Sequence, residues 1–142
     1  MAEQREVQAV IDTNVLFEGL TNQGNVPGLI IDAWHSGLFT ACVSTALAYE
    51  YIDVLGRKLS QARWRRLQPV VGVLLTQAQF VPIYFSWRPI SPDPGDDHVI
   101  DCAMNAGVPV VTLNGGDFRQ AEHRLGLVVL TPVDFVTRLA TF

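Results

Sequence analysis

Four acidic residues lie far apart in this chain, each where a carboxylate could do more than solvate a surface. They are Asp12 in VIDTN, Glu50 in ALAYEY, Asp96 in DPGDDHVIDCA and Asp117 in VVTLNGGDF. An ionised carboxylate held away from water is costly unless something positive compensates it. If the four converge, that compensation is a cation, and all-oxygen donors select a hard one, Mg²⁺ or Mn²⁺, over zinc. One or two such ions suit phosphodiester hydrolysis, because they activate a water and neutralise charge on the phosphate. Other chemistries find no matching pattern. There is no GxSxG elbow, P-loop or GxGxxG, the three histidines (His35, His98, His123) lack metal-site spacing, and Cys42 has no histidine placed to activate it. A small-molecule phosphatase usually wants a phosphate-cradling lysine near its carboxylates, and Lys58 is the only lysine.

Spacing narrows the choice of acids, although each keeps a plainer alternative. Asp12 closes an apolar run and precedes a helix, at the strand end where open α/β sheets place their ligands. It could equally be a helix cap. Glu50 shares a helical face with Leu47, Tyr51, Val54 and Leu55, unusual for a glutamate unless it sits at the stripe's edge and reaches water. In the next acidic group Asp96 is in phase with Val99, Ile100 and Ala103, the inward face. Asp97 and Asp101 pair at i, i+4 on another face, expected to be wetter. Asp97 remains as an extra acid or a favourable charge at the helix start, and Asp93 reads as a turn residue before Pro94. Gly115 and Gly116 let the chain bend so that Asp117 returns toward the strand ends. Its alternative is to cap a short helical turn around Phe118 and Arg119.

The elements that must position these groups alternate short apolar runs with amphipathic stretches, the pattern of a parallel sheet covered by helices. Strands are expected at Glu6–Asp12, Phe39–Val43, Phe80–Ile83, Val108–Thr112 and Leu127–Leu130. Helices are expected over Thr13–Leu20, Pro27–Ser36 (ended by Gly37), Leu55 and the residues back to a Ser44 cap, and Gly95–Ala106. A further helix capped by Ser60 should kink or divide at Pro69 before resuming to Gln77. Thr131 and Pro132 open a last helix to Leu139. The proline-rich SWRPISPDPG reads as a loop.

With 142 residues, 49% of them hydrophobic and 17% charged, the chain is expected to fold as one domain, 1–142, with a substantial core. No apolar run approaches the ~20 residues of a spanning helix, the N-terminus lacks a secretion-signal pattern, and two cysteines make no disulfide framework. A cytoplasmic location without membrane association is expected. The net charge of −4 argues against a broad electrostatic grip on nucleic acid. Yet Arg57, Lys58, Arg63, Arg65 and Arg66, half of the ten basic residues, fall within ten positions. They form either a solvated helix face or a landing strip for RNA phosphates. Trp64 within that stretch packs or stacks a base.

Three segments together resemble the PIN-domain proteins, and within them the VapC-like toxin components of toxin–antitoxin systems. VIDTNVLFEGL carries the strand-end Asp with Thr-Asn. ACVSTALAYEYIDVL carries a strand, Ser and helical Glu, and DPGDDHVIDCAMNAGVPVVTLNGGDF carries the third acid, a small-residue helix and a Thr-x-Asn-x-x-Asp-Phe turn. The resemblance spans nearly the whole chain. It implies an α/β/α sandwich around a central, mostly parallel sheet of about five strands. It also implies metal-dependent endoribonuclease activity on single-stranded RNA, a homodimer, and restraint by an antitoxin protein. By position, Asp12, Glu50, Asp96 and Asp117 would be the catalytic metal ligands, with Asn14, Ser44, Thr112 and Asn114 supporting them or placing water. The spacing of the fourth acid varies within the family. A PIN-like module that binds RNA or protein without cutting is the alternative.

Overall fold

A computed structural model describes residues 7–22, 24–87 and 94–141. Glu6, Asp93 and most of the proline-rich loop therefore lie outside the described residues. Five short strands, β1 (Gln8–Ile11), β2 (Thr40–Val43), β3 (Gln79–Phe80), β4 (Val110–Val111) and β5 (Val129–Leu130), form one sheet in the order β3-β2-β1-β4-β5. Every pairing is parallel; Gln8 lies opposite Thr40, and Val10 opposite Val110. Ala9, Val10 and Ile11 are all fully buried. Successive strand residues point to opposite faces, so both faces of β1 are covered, as a parallel sheet requires. The α/β sandwich is thus the observed architecture.

The helices are α1 (Thr13–Thr21), α2 (Val26–Ser36), α3 (Thr45–Lys58), α4 (Gln61–Gln77), α5 (Pro94–Ala106), α6 (Arg119–Leu125) and α7 (Pro132–Ala140), with a 3₁₀ turn at Gly115–Phe118 before α6. The caps follow local chemistry. Ser44 Oγ accepts from Leu47 N at 3.1 Å, Ser60 Oγ from Arg63 N at 3.2 Å, and Thr131 Oγ1 from Asp134 N at 3.1 Å. Gly37 ends α2 at φ 78°, a left-handed conformation that costs glycine little.

Three expectations need correction. First, α4 is one unbroken helix with Pro69 inside it, not a kinked or divided pair. Proline removes one backbone bond, but beyond it Val71 and Leu74 are buried and Trp34 Nε1 donates to the Leu74 carbonyl at 3.0 Å. Tertiary contact overrides the local penalty. Second, β3 ends at Phe80 instead of running to Ile83. The chain leaves the sheet there because Asn105 of α5 holds it: Asn105 Oδ1 accepts from Tyr84 N and Phe85 N at 2.9 and 3.2 Å, and its Nδ2 donates to the Phe85 carbonyl at 2.8 Å. Third, the short helical turn near Phe118 extends into α6, closed by Gly126 at φ 70°.

Candidate active site

β1 and β4 are neighbours, but the chain leaves them toward opposite edges of the sheet. Such a switch point opens a crevice at the carboxyl ends of the strands. Here the crevice is a cleft of about 340 Å³ lined by Asp12, Thr13, Asn14, Glu50, Val54, Arg57, Lys58, Asp96, Asn114 and Asp117. The four carboxylates singled out from sequence thus line one cleft, each delivered by a different element.

Asp12 is only 4% exposed. Its Oδ1 accepts from Thr13 N at 2.7 Å, so it does cap α1; its Oδ2 accepts from Thr112 Oγ1 at 2.7 Å across the β1–β4 pair. Capping and facing the cleft are compatible, since both follow from standing at the end of β1. The Thr112 hydroxyl in turn accepts from Asn114 N at 3.0 Å, and Asn14 Oδ1 accepts from Leu113 N at 3.3 Å. The turn after β4 is therefore stitched to the turn after β1. Asp117 lies within the 3₁₀ turn, whose N-cap position is Asn114.

Glu50 is half-buried at the edge of the α3 stripe, whose core members are Leu47, Tyr51, Val54 and Leu55. Its neighbour Tyr51 sets its position, a role sequence reasoning missed. The fully buried Tyr51 hydroxyl donates to the Ile11 carbonyl, one residue before Asp12. That bond locks the helix carrying Glu50 to the strand carrying Asp12. Burial first, then the charges of Cys102, Asp12 and Cys42, push the Tyr51 hydroxyl well above its ordinary pKa, so it stays a donor. A tyrosine in an apolar stripe reads as core, and nothing in the pattern marks its hydroxyl as a strut.

The remaining candidates divide. Ser44 does not line the cleft; it is 2% exposed, caps α3, and hydrogen-bonds Cys102 through both backbone and side chain. Asp96 lines the cleft, but the expectation of a wetter face for Asp97 and Asp101 is overturned: they are 5% and 3% exposed. The segment returning from β3 covers that face, with Trp87 N donating to Asp101 Oδ1 at 3.1 Å. Asp97 lies outside the cleft, and its Oδ1 has no hydrogen-bond partner among the described residues. Of the five clustered basic residues, only Arg57 and Lys58 line the cleft. Arg63 and Arg66 face a separate hollow beside Leu20 and Leu67. Trp64 packs half-buried against the core.

Among the described residues no three His, Cys, Asp or Glu side chains converge closely enough to hold an ion by direct ligation alone. The donor set is nevertheless all oxygen, which fits a hard cation keeping much of its water. Mg²⁺ typically binds through one or two carboxylates and retains several waters.

A family model described as PIN domain matches residues 8–114, which takes in Asp12, Glu50 and Asp96 and stops short of Asp117. The chain belongs to the PIN domain family, whose members are generally nucleases. No curated protein matches it in sequence. Among solved structures it is similar to a chain of VapBC2 from Rickettsia felis bound to a DNA fragment from their promoter (TM-score 0.64, 11% identity, covering 88% of this chain and 98% of that one). It is also similar to a chain of FitAB bound to an IR36 DNA fragment (0.58, 17%, 87% and 94%) and of FitAcB from Neisseria gonorrhoeae (0.57, 16%, 87% and 97%). At these identities the likeness is one of fold.

Proposed function

We propose that this protein is a divalent-metal-dependent endoribonuclease that cleaves single-stranded RNA, and that it is the toxin of a toxin–antitoxin pair. The observation that carries the reading is the convergence of Asp12, Glu50, Asp96 and Asp117 on one cleft at the carboxyl edge of the sheet. These four would hold one or two Mg²⁺ or Mn²⁺ ions. A bound ion of this kind supplies Lewis acidity and a nucleophilic water at neutral pH.

The chain's own contribution is orientation. Asp12 is held by two hydrogen bonds that fix both of its oxygens. Its Thr112 partner is held by the Asn114 amide, so the carboxylate needs little reorganisation when it meets a cation or the water that cation carries. Asn14 and Asn114 present amide groups to the same space without adding charge, suited to placing a water or a ribose hydroxyl. Family membership and the fold shared with VapBC2 and FitAB chains support an antitoxin partner; a homodimer and a cytoplasmic setting belong to the same proposal. No helix among the described residues is long and apolar enough to cross a membrane.

One observation favours a second reading, a silent PIN-like module that binds RNA or protein: the acids stand too far apart for three-fold direct ligation. Incubating purified protein with labelled single-stranded RNA and Mn²⁺, beside Asp12→Asn, separates the two. The wild type should cut and Asp12→Asn should lose at least about a hundredfold, the scale seen when a group stabilising transition-state charge is removed. Equal cutting by both would assign the activity to a contaminant. No cutting with retained RNA binding would favour the silent module.

A further inference from the structure

We propose that Lys58 grips a phosphate flanking the scissile one and thereby draws single-stranded RNA into a cleft whose acids would otherwise repel it; this rests on the nuclease reading above. A polyanion approaching four carboxylates needs a cation beside them, and Arg57 and Lys58 are the basic residues lining that cleft. Their circumstances differ. Arg57 Nε is bonded to Asp53 Oδ2 at 2.9 Å, one turn back on α3, an exposed pair that turns its guanidinium toward Asp53 without cancelling its charge. Lys58 has no carboxylate within ion-pair distance among the described residues; its Nζ lies 5.3 Å from the centre of the Phe17 ring on α1. A ring face attracts an ammonium without neutralising it. The contact therefore steers the amine while leaving its charge and N–H donors for a ligand.

Register on the helix defines which phosphate this is. Glu50, Val54 and Lys58 follow one another at four-residue intervals and line one wall of the cleft, as side chains on a common helical face do. Eight residues of helix place Lys58 about 12 Å along the axis from Glu50. That backbone offset sets the amine to one side of the carboxylates and suits a phosphate flanking the one being cut. Lys58 also occupies the last turn of α3, where the helix dipole favours a cation.

The test is binding of a short fluorescein-labelled oligouridine, followed by anisotropy with Ca²⁺ replacing Mg²⁺, from about 50 to 200 mM salt. One lost phosphate contact should make the slope of log affinity against log salt shallower by about 0.7, so that Lys58→Met loses about 2.6-fold less affinity than wild type over that range. Lys58→Arg should restore the wild-type slope, and Arg57→Gln should change it less than Lys58→Met does. With Mn²⁺, Lys58→Met should raise KM several-fold and keep kcat. Wild type and Lys58→Met that bind with equal slopes, or a Lys58→Met defect confined to kcat, would overturn the assignment while leaving the nuclease reading intact. A wild type that binds no oligouridine would overturn both.

Discussion

Asp12 shows how one carboxylate meets two demands. It is buried because it ends a buried strand, it is stabilised by the Thr13 amide and the Thr112 hydroxyl, and it still borders the cleft. Glu50 is the contrasting case, half-buried and held by its helix more than by bonds of its own. If it ligates metal, Glu50→Gln should keep the apo melting temperature nearly unchanged and lose most of the Mn²⁺-induced rise. At a hundredfold excess over Kd a ligand contributes about 2.7 kcal/mol, roughly 5–10 °C for a domain of this size. Thermal melts with and without Mn²⁺ check this, and an undiminished rise in Glu50→Gln would remove Glu50 from the metal site.

Between elements, the geometry rests on close helix approach and on a few bonds that cross the fold. Gly19 lets α1 lie against α2: a Cβ there would stand 2.5 Å from Ile31 Cγ1 and 2.6 Å from the Pro27 carbonyl oxygen. The second neighbour is backbone and has little room to yield. Gly19→Ala should therefore destabilise despite alanine's higher helix propensity, by about 1–3 kcal/mol, the usual cost of overpacking. Urea unfolding at equilibrium measures it, and an unchanged or raised midpoint would show that the helices part freely. Because Asp12 caps α1 and the helix carries Phe17, its displacement should also disturb the cleft, so the proposed nuclease activity should fall further than stability alone explains.

For the whole molecule, buried ionisable groups link stability to pH. Burial, with the Cys42 charge next, pushes the Cys102 thiol from 9.0 up to about 12, against hydrogen bonds from Ser44 that lower it. The folded chain therefore keeps a proton that the unfolded chain releases. This stabilisation is fully present below pH 9 and is lost as pH rises toward about 12. Tyr51, raised well above its ordinary value of 10.0, adds to the fall in strongly alkaline solution. Under reducing conditions the melting temperature should hold near neutrality and drop above pH 9. In Cys102→Ala the fall should be shallower, by up to about 1.4 kcal/mol per pH unit. Parallel curves for the two proteins would show that Cys102 is not the linked group.

Sequence alone carried the alternation of elements, the caps at Ser44, Ser60 and Thr131, the stop at Gly37 and four acids that line one cleft. Each of these follows from short-range rules: helical and strand periods, side chains that satisfy nearby amides, and the tendency of parallel sheets to gather ligands at one edge. Other features needed the third dimension. Continuity of α4 through Pro69 depends on Trp34, distant in sequence. Burial of Asp97 and Asp101 depends on a segment that folds back over α5, and periodicity cannot tell a face open to water from one that another stretch of chain will cover. The Tyr51 strut and the difference between Arg57 and Lys58 were likewise decided by which groups the fold brought within reach. A residue's type and phase describe what it can do; its partners across the fold select which of those things it does.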